Sequence, residues 1–364
     1  MDASTAPEMG QIEVSIFGPG KGEAVAVHLG GGDWITIDSC RDQLTRTNAV
    51  LNYFKEIGVD VTKDVRLVVA THAHDDHVAG IAELYKTATE AQLVLAPAMT
   101  SEEFFAEVIA DIDIEDRLRQ SVRREYKELL EIAGSRGKFK DGRRPMTRAA
   151  EQKILWERAA TEALPGARVV SLSPSEEAFE RAQRMLAQGA ARAGSRRRLA
   201  ASDPNEYAIA LWVEVGNVAL LLGADLIIGP SDCGWKAVVD SHHPNMRASL
   251  FKVPHHGSPN ADHPPAWAKF LSNDVVSLLA PFRGGSNSRP NEADVKRVLA
   301  FSGSAFATAK SSFPTPSRDL KKTRAALSGV ASNVRDPNGI VGHVRARTAD
   351  TTWSVETFAP GHQL

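Results

Sequence analysis

The stretch THAHDDHVAG, residues 71–80, follows the apolar run VRLVVA and concentrates metal-binding side chains in one turn. Within six positions it supplies three imidazoles and a carboxylate, from His72, His74, Asp76 and His77. Neutral imidazole and carboxylate are preferred ligands of zinc, and they also suit manganese and iron. The alternative is a solvated loop that contains histidine by chance, which the total of 11 histidines in 364 residues disfavours. The stretch therefore predicts one wall of a metal site at the end of a buried strand.

The spacing within this cluster indicates how it could serve two metal ions. His72 and His74 are two positions apart, so their side chains point the same way on an extended backbone. In a tight turn, Asp76 and His77 can face a second point, and hydrolytic two-metal sites hold their ions about 3.5–4 Å apart. One turn cannot complete two coordination shells, so we expect further ligands from elsewhere in the chain.

Candidates for these remote ligands lie at two other strand ends. Asp225 closes the apolar run VALLLGAD, although an aspartate after a strand is more often a cap or a turn residue. His255 and His256 occur together in VPHHGS, where the competing interpretation is a pair of surface histidines in a turn.

Strand and helix patterns divide the rest of the chain. β-branched runs between glycine turns predict early strands, and Gly58 is expected to end the helix that follows them. The predicted strands lie at 12–18, 23–29, 34–39, 207–215, 218–225, 340–347 and 352–358, and a further helix lies at 291–301.

Residues 85–205 change character and are predicted to form a mostly helical, partly basic insertion within a single domain spanning 1–364. Thr100 and Glu103 have the spacing of a capping box. In SPSEEAFERAQRML, Ser173 is the expected N-cap and Pro174 the first helical residue.

Taken together, the motifs resemble the metallo-β-lactamase-fold hydrolases. HAHDDH at 72–77 matches the HxHxDH signature of that family. Asp38 falls at its first motif, Asp225 at its fourth and His255 at its last. The stretch KVPHHGS is similar to the branch typified by the metallo-β-lactamase domain of the competence protein ComEC. The resemblance covers about 1–85 and 205–285, and covers the insertion not at all.

The resemblance implies an α/β (α+β) fold, a four-layer αββα sandwich with its metal site at one edge between the sheets. It also implies one or two zinc ions, with Mn²⁺ or Fe²⁺ as substitutes, that activate a water for hydrolysis. The implied ligands are His72, His74 and Asp225 for the first ion and Asp76, His77, Asp225 and His255 for the second. The implied catalytic residues are Asp76, which orients the nucleophile, and His256, which donates a proton to the leaving group. Which of His255 and His256 binds the metal stays open.

Two departures from the family pattern bear on the number of metal ions. No histidine occurs between Val78 and Leu220, so the third-motif ligand is missing and His242 or His243 would have to complete the first site. In addition, His74 stands where the ComEC branch often carries aspartate.

Bulk composition excludes several classes of protein. A formal net charge of −2 indicates no global affinity for polyanions. No apolar run approaches the roughly 20 residues that span a bilayer, so no membrane partner is expected. Two cysteines, Cys40 and Cys233, are too few for a disulfide framework, and no secretory signal is visible. A cytoplasmic location is therefore predicted, while the oligomeric state stays undefined.

The insertion carries the one clue to a substrate. Between 117 and 148 eleven Lys and Arg residues accompany four Asp and Glu, and Arg196, Arg197 and Arg198 follow as a second basic patch. Such asymmetry favours a nucleic acid or another polyanion as partner, although a solvated helix face is the commoner cause. Three hypotheses result: a phosphodiesterase or nuclease, a hydrolase of a lactone, thioester or amide, and an inactive metal-binding partner protein.

Overall fold

Two mixed β-sheets, each of eight strands within the described residues, form the centre of the protein. The computed structural model describes residues 4–19, 22–42, 45–100, 117–192, 203–283, 288–311 and 341–364. The strands of the first sheet are β1 (Ile12–Gly18), β2 (Ala24–Leu29), β3 (Trp34–Asp38), β4 (Val65–Ala70), β5 (Gln92–Leu95), β6 (Met146–Arg148), β14 (Gly342–Thr348) and β15 (Ser354–Phe358). Those of the second are β7 (Lys153–Arg158), β8 (Ala167–Ser171), β9 (Leu211–Val215), β10 (Val218–Leu222), β11 (Ala248–Lys252), β12 (Leu271–Leu279), β13 (Ser304–Ala307) and β16 (His362–Gln363).

Each sheet combines an antiparallel part with a parallel part. The first has the order β15-β14-β1-β2-β3-β4-β5-β6 and is parallel from β3 to β6. The second has the order β16-β13-β12-β11-β10-β9-β8-β7 and is parallel from β10 to β13. Parallel neighbours end at the same edge of a sheet, and ligand sites in such sheets form outside the carboxyl ends of the strands.

Helices cover the outer face of each sheet. The helices are α1 (Ala49–Ile57), α2 (Val61–Asp64), α3 (Asp75–Val78), α4 (Ile81–Thr87), α5 (Arg117–Ser135), α6 (Glu176–Arg192), α7 (Gly234–Ser241), α8 (Pro264–Phe270) and α9 (Glu292–Leu299). No helix among the described residues combines the length and the apolar character that crossing a membrane requires.

The alternation along β9 shows how the layers pack. Leu211 and Val213 belong to the core that the second sheet shares with the first, whereas Trp212 belongs to the core beneath α7, α8 and α9. On the other side, Val50 and Phe54 of α1 pack in the core of the first sheet. Because successive residues of a strand point to opposite faces, each sheet is buried on both sides. The predicted four-layer αββα sandwich is confirmed.

The described part of 85–205 contains the long helices α5 and α6, but it also contributes strands β5 to β8 to the sandwich. Strands β5 and β6 extend the first sheet at its parallel end, and β7 and β8 extend the second at its antiparallel end. These strands are three to six residues long, and β6 and β7 carry charged and half-exposed side chains because they form sheet edges. Short polar edge strands show little alternation of apolar and polar residues, so they are not recognised in the sequence.

The predicted helix ends are partly confirmed. Gly58 ends α1 in the left-handed conformation, with φ at 76°. The N-cap expected at Ser173 is wrong, since Ser175 Oγ accepts from the Ala178 amide at 3.2 Å. Ser173 instead accepts from the Ala210 amide and donates to the Ala208 carbonyl, which ties this segment to the start of β9. The expected capping box of Thr100 and Glu103 lies outside the described residues, since Glu103 is not among them.

A buried histidine links the stability of the first sheet to pH. The ring of His343 stacks between Phe17 and Phe358, with centroid distances of 4.4 and 4.8 Å, and its Nε2 lies 3.0 Å from Ser15 Oγ. Burial lowers the pKa of His343 to about 3 from its usual 6.5. Since the unfolded chain then binds a proton that the folded chain excludes, acid favours unfolding.

We therefore expect the free energy of unfolding to fall as the pH decreases from 6.5 towards 3. His343 contributes up to about 1.4 kcal/mol per pH unit to this decrease. His343→Gln keeps a partner for Ser15 Oγ but does not titrate, so its slope is expected to be shallower by that amount. Urea unfolding of both proteins at several pH values, with chelator present, measures the difference, and equal slopes would contradict the assignment.

Candidate metal centre

The cluster 71–78 is built by a turn at the carboxyl end of β4. The chain leaves β4 at Ala70 and enters α3 at Asp75, with the His77 amide donating to the His74 carbonyl at 3.1 Å. The first sheet fixes this turn from outside, because the Ser39 amide donates to the His77 carbonyl at 2.8 Å. On the other side, the Glu23 amide donates to the Asp76 carbonyl at 2.8 Å. The backbone of the cluster is therefore held by hydrogen bonds from two neighbouring strands.

Asp38, the last residue of β3, orients the ring of His77. Its carboxylate accepts from the Thr71 amide at 2.8 Å, from Thr71 Oγ1 at 2.7 Å and from His77 Nδ1 at 2.7 Å. Because Nδ1 of His77 donates to Asp38, Nε2 is the ring nitrogen that faces the space between the sheets. Carboxylates of this kind fix the tautomer of metal-ligating histidines.

Asp225, three residues beyond the end of β10, approaches the cluster from the second sheet. Its Oδ2 lies 3.3 Å from His77 Nε2 and 3.2 Å from His256 Nε2. Asp76 Oδ2 completes the group at 3.5 Å from His256 Nε2 and 3.9 Å from His77 Nε2. Two carboxylate oxygens and two imidazole nitrogens, contributed by both sheets, therefore converge on one point.

His256 reaches this point from a strained turn after β11. Its backbone has φ at 54°, and its Nδ1 donates to the Ala280 carbonyl at 2.9 Å, which leaves Nε2 free to face Asp225. The ring stacks on Phe282, with centroids 5.5 Å apart.

The neighbouring His255 points elsewhere. It is half-buried, with Nδ1 2.9 Å from Asn260 Oδ1 and Nε2 3.4 Å from Asn205 Nδ2. Of the adjacent pair, the structure brings His256 to the carboxylates and leaves His255 outside. His256, for which the resemblance implies proton donation to the leaving group, is therefore the candidate metal ligand in place of His255.

His72 and His74 lie beside this group. His72 Nε2 is 3.0 Å from His74 Nδ1, and the rings of His72 and His77 have centroids 4.2 Å apart. Burial, followed by the neighbouring rings of His77 and His74, lowers the pKa of His72 well below its usual value. The ring is therefore neutral, which is the form that binds a metal.

His242 and His243 do not complete a first metal site. His242 packs against Trp212 on the outer side of the second sheet, with ring centroids 5.0 Å apart, and its Nδ1 lies 3.1 Å from Gln152 Oε1. His243 Nδ1 lies 3.2 Å from Lys269 Nζ. Neither belongs to a metal-binding group of the described residues, so the third-motif ligand is not replaced by them.

The electrostatics of the cluster favour a cation. Burial alone would lower the pKa of His77, but the carboxylates of Asp225, Asp76 and Asp38 outweigh it and hold that pKa well above its usual value. The pKa of His256 is raised in the same way, with Asp225 as the main opposing influence to burial. Without a metal, the two imidazoles are therefore driven to bind protons, and a divalent ion would take the place of those protons.

Three overlapping groups of donor atoms, each within 4.8 Å, could hold a metal ion, and all include His77. These groups are Asp38–His72–His77, Asp76–His77–His256 and Glu23–His77–Asp225. Asp38 accepts three hydrogen bonds from Thr71 and His77, so we assign it to orienting His77 rather than to binding a metal. His77 Nε2 is buried and makes no hydrogen bond within the described residues, which fits a metal as its partner.

Two charged residues at this centre, Glu23 and Lys252, are not predicted from the sequence. Both side chains are buried, and they form an ion pair beside Asp225. Lys252 ends the apolar strand β11 and Glu23 precedes the apolar strand β2. A charged residue that adjoins an apolar strand and is buried with it needs a partner of opposite charge. The positions of Glu23 and Lys252 beside apolar runs are therefore the feature of the sequence that indicates a buried ion pair.

No protein-family model and no curated protein matches this chain. Among solved structures, the chain is similar to the metallo-β-lactamase fold protein YhfI from Bacillus subtilis, at 12% identity and a TM-score of 0.39, over 83% of this chain and 98% of that one. A second is AidC, described as a dizinc quorum-quenching lactonase, at 14% identity and a TM-score of 0.32. That match covers 56% of each chain, so this chain spans little more than half the length of AidC. A third is ST1585, an archaeal metallo-β-lactamase superfamily protein from Sulfolobus tokodaii, at 12% identity and a TM-score of 0.28, over 65% of this chain and 74% of that one.

The fold follows from the chain's own topology. Within the described residues, two eight-stranded sheets pack face to face between helical layers, and candidate metal-binding side chains from both sheets meet beyond the carboxyl ends of β3, β4, β10 and β11. This arrangement is a four-layer αββα sandwich, the architecture that the resemblance to the metallo-β-lactamase-fold hydrolases implies.

Proposed function

We propose that this protein is a metal-dependent hydrolase and that its substrate is a phosphodiester, most simply in a nucleic acid. The observation that carries the hydrolase is the position of Asp225 Oδ2 between the Nε2 atoms of His77 and His256, at 3.3 and 3.2 Å. A zinc or manganese ion held there by Asp76, His77, Asp225 and His256 would supply Lewis-acid polarisation and a water-derived nucleophile near neutral pH.

Asp76 is the proposed ligand best placed to meet water at the site. Its side chain is 27% exposed, whereas those of His77, Asp225 and His256 are nearly inaccessible. Its carboxylate can therefore orient a water that enters the site. His256 is fixed by its bond to Ala280, and His77 by its bond to Asp38, so both rings keep their orientation through a turnover.

Exposed cations support the phosphodiester as substrate. Lys138, Lys140, Arg144 and Arg148 are exposed on the segment after α5. Other members of the predicted basic patch serve the fold: Arg136 donates to the Tyr85 carbonyl at the end of α4. The second patch, 196–198, lies outside the described residues. The likeness of KVPHHGS to the ComEC branch agrees with this proposal.

A small ester, lactone or thioester is the second candidate substrate, because an apolar surface borders the site. Phe282 stacks on His256 and remains 37% exposed, so it offers a wall to an apolar group. Tyr126, an aromatic residue within the predicted basic patch, is fully buried and donates to the His72 carbonyl at 3.1 Å. It cannot stack on a base.

We expect the purified protein, loaded with Zn²⁺ or Mn²⁺, to cleave single- or double-stranded DNA and bis(p-nitrophenyl) phosphate. The double variant Asp76→Asn/His77→Ala removes two donors and is expected to lose the activity together with the bound metal. Metal-dependent hydrolysis of lactones and aryl esters, without cleavage of phosphodiesters, would favour the second candidate. Stoichiometric metal without hydrolysis of either class would mark an inactive metal-binding protein.

A further inference from the structure

A buried ammonium group lies inside the metal-binding cluster. Lys252, the last residue of β11, donates from Nζ to the Ala224 carbonyl at 2.8 Å, and its side chain is 2% exposed. The same Nζ lies 3.6 Å from Asp225 Oδ1 and forms an ion pair with Glu23 Oε1. The two oxygens of Asp225 therefore have different environments, since Oδ2 faces the imidazoles and Oδ1 faces the ammonium.

Glu23 is close enough to the imidazoles to be a ligand itself. Its Oε1 lies 3.9 Å from His77 Nδ1 and its Oε2 lies 3.4 Å from His256 Nδ1. However, both of these ring nitrogens are engaged elsewhere, by Asp38 and by the Ala280 carbonyl. Glu23 thus lies on the Nδ1 side of the two rings, while their Nε2 atoms face Asp225.

We propose that Lys252 and Glu23 form a charge-balancing pair that tunes the metal centre without binding the metal. Lys252 engages Asp225 Oδ1, so that Oδ2 is the oxygen presented to the ion. Glu23 neutralises the ammonium, so that its positive charge does not oppose a divalent ion at the neighbouring site. This inference rests on the metal binding in the proposed function and assigns roles to two residues outside its ligand set.

Coulomb interactions predict the direction in which the metal affinity changes when Glu23 or Lys252 is neutralised. Neutralising Glu23 alone leaves a buried ammonium beside the ion, and like charges repel strongly where water is excluded. Neutralising both residues removes that repulsion and leaves the four proposed donors in place. If Glu23 were a metal ligand, removing Lys252 as well would not restore binding.

The test is a comparison of Zn²⁺ dissociation constants, measured by competition with a chromophoric chelator, for wild type, Glu23→Gln and Glu23→Gln/Lys252→Met. We expect Glu23→Gln to weaken binding by about 10- to 100-fold, the usual range for residues that support metal ligands. The double variant is expected to bind Zn²⁺ more tightly than Glu23→Gln does, with a residual loss relative to wild type because Asp225 Oδ1 no longer faces an ammonium. Thermal unfolding with chelator present confirms that each variant is folded.

Glu356→Gln is the matched control, because it neutralises the partner of another buried cation, Arg345, at the edge of the first sheet. It is expected to leave the dissociation constant unchanged. A double variant as weak as Glu23→Gln would overturn the proposal and make Glu23 a ligand. A Glu23→Gln variant that binds like wild type would also overturn it. A wild-type protein that binds no Zn²⁺ would instead refute the proposed function itself.

Discussion

Asp225→Asn is expected to abolish hydrolysis, whatever the substrate. The substitution removes the negative charge that lies between the imidazoles of His77 and His256. The substitution is nearly isosteric, and the side-chain oxygen of asparagine can still face Lys252 Nζ, which lies 3.6 Å from Asp225 Oδ1. What it removes is the anionic oxygen 3.3 and 3.2 Å from the Nε2 atoms of His77 and His256. Since residues that merely support ligands cost about 10- to 100-fold in metal affinity, a direct donor should cost at least about 100-fold.

The measurement is metal content after dialysis, followed by Zn²⁺ titration and by hydrolysis of the substrate identified for wild type. Asp262→Asn is the matched control, because Asp262 pairs with Arg297 at 2.9 Å and lies outside the three donor groups. It should keep both metal and activity. A folded Asp225→Asn variant that binds metal with wild-type affinity would remove Asp225 from the ligand set.

Gly22→Ala is expected to damage the same site through the backbone. Gly22 has φ at +106°, and a Cβ added there would lie 2.0 Å from the Asp76 carbonyl oxygen and 2.6 Å from its carbonyl carbon. Neither atom belongs to a flexible side chain, so the turn that carries Asp76 and His77 must shift. We expect loss of metal affinity in addition to about 1–3 kcal/mol of backbone strain.

Gly32→Ala separates these two effects. Gly32 has φ at +80°, but a Cβ there would have nothing within 4 Å, so this variant bears backbone strain without a clash. Chemical unfolding and Zn²⁺ titration of both variants measure the difference. We expect reduced stability in both and weakened metal binding in Gly22→Ala alone. Equal metal affinities would show that the cluster tolerates movement of the Asp76 backbone.

The parts that the sequence predicts are those encoded locally. The strand 65–70 and the cluster after it are adjacent in the chain. The apolar runs before Asp225 and before His256 likewise indicate where strands β10 and β11 end. Strands β5 to β8 are not predicted from the sequence because they are short, and because β6 and β8 pair with strands distant in the chain.

The choice between His255 and His256 could not be made from the sequence for a related reason. The two residues are chemically identical, and both have positive φ, at 47° and 54°. A hydrogen bond to the Ala280 carbonyl holds the ring of His256 towards the carboxylates. A contact with Asn260 holds the ring of His255 away from them. Glu23 and Lys252 were missed because their pairing depends on the packing of the two sheets.

The origin of the donor atoms in two different sheets bears on the order of events during folding. His77 and Asp225 belong to different halves of the chain, so the complete ligand set cannot exist before both sheets have formed and docked. In an unfolded chain, a metal ion that bound both His77 and Asp225 would close the long loop between them. The entropy lost on closing that loop opposes such binding. Unlike a zinc finger, whose ligands are local and whose apoprotein is unfolded, this chain is expected to fold first and recruit its ion afterwards. Uptake would then be governed by how often the edge between the sheets opens to solvent, and not by the rate at which the polypeptide folds.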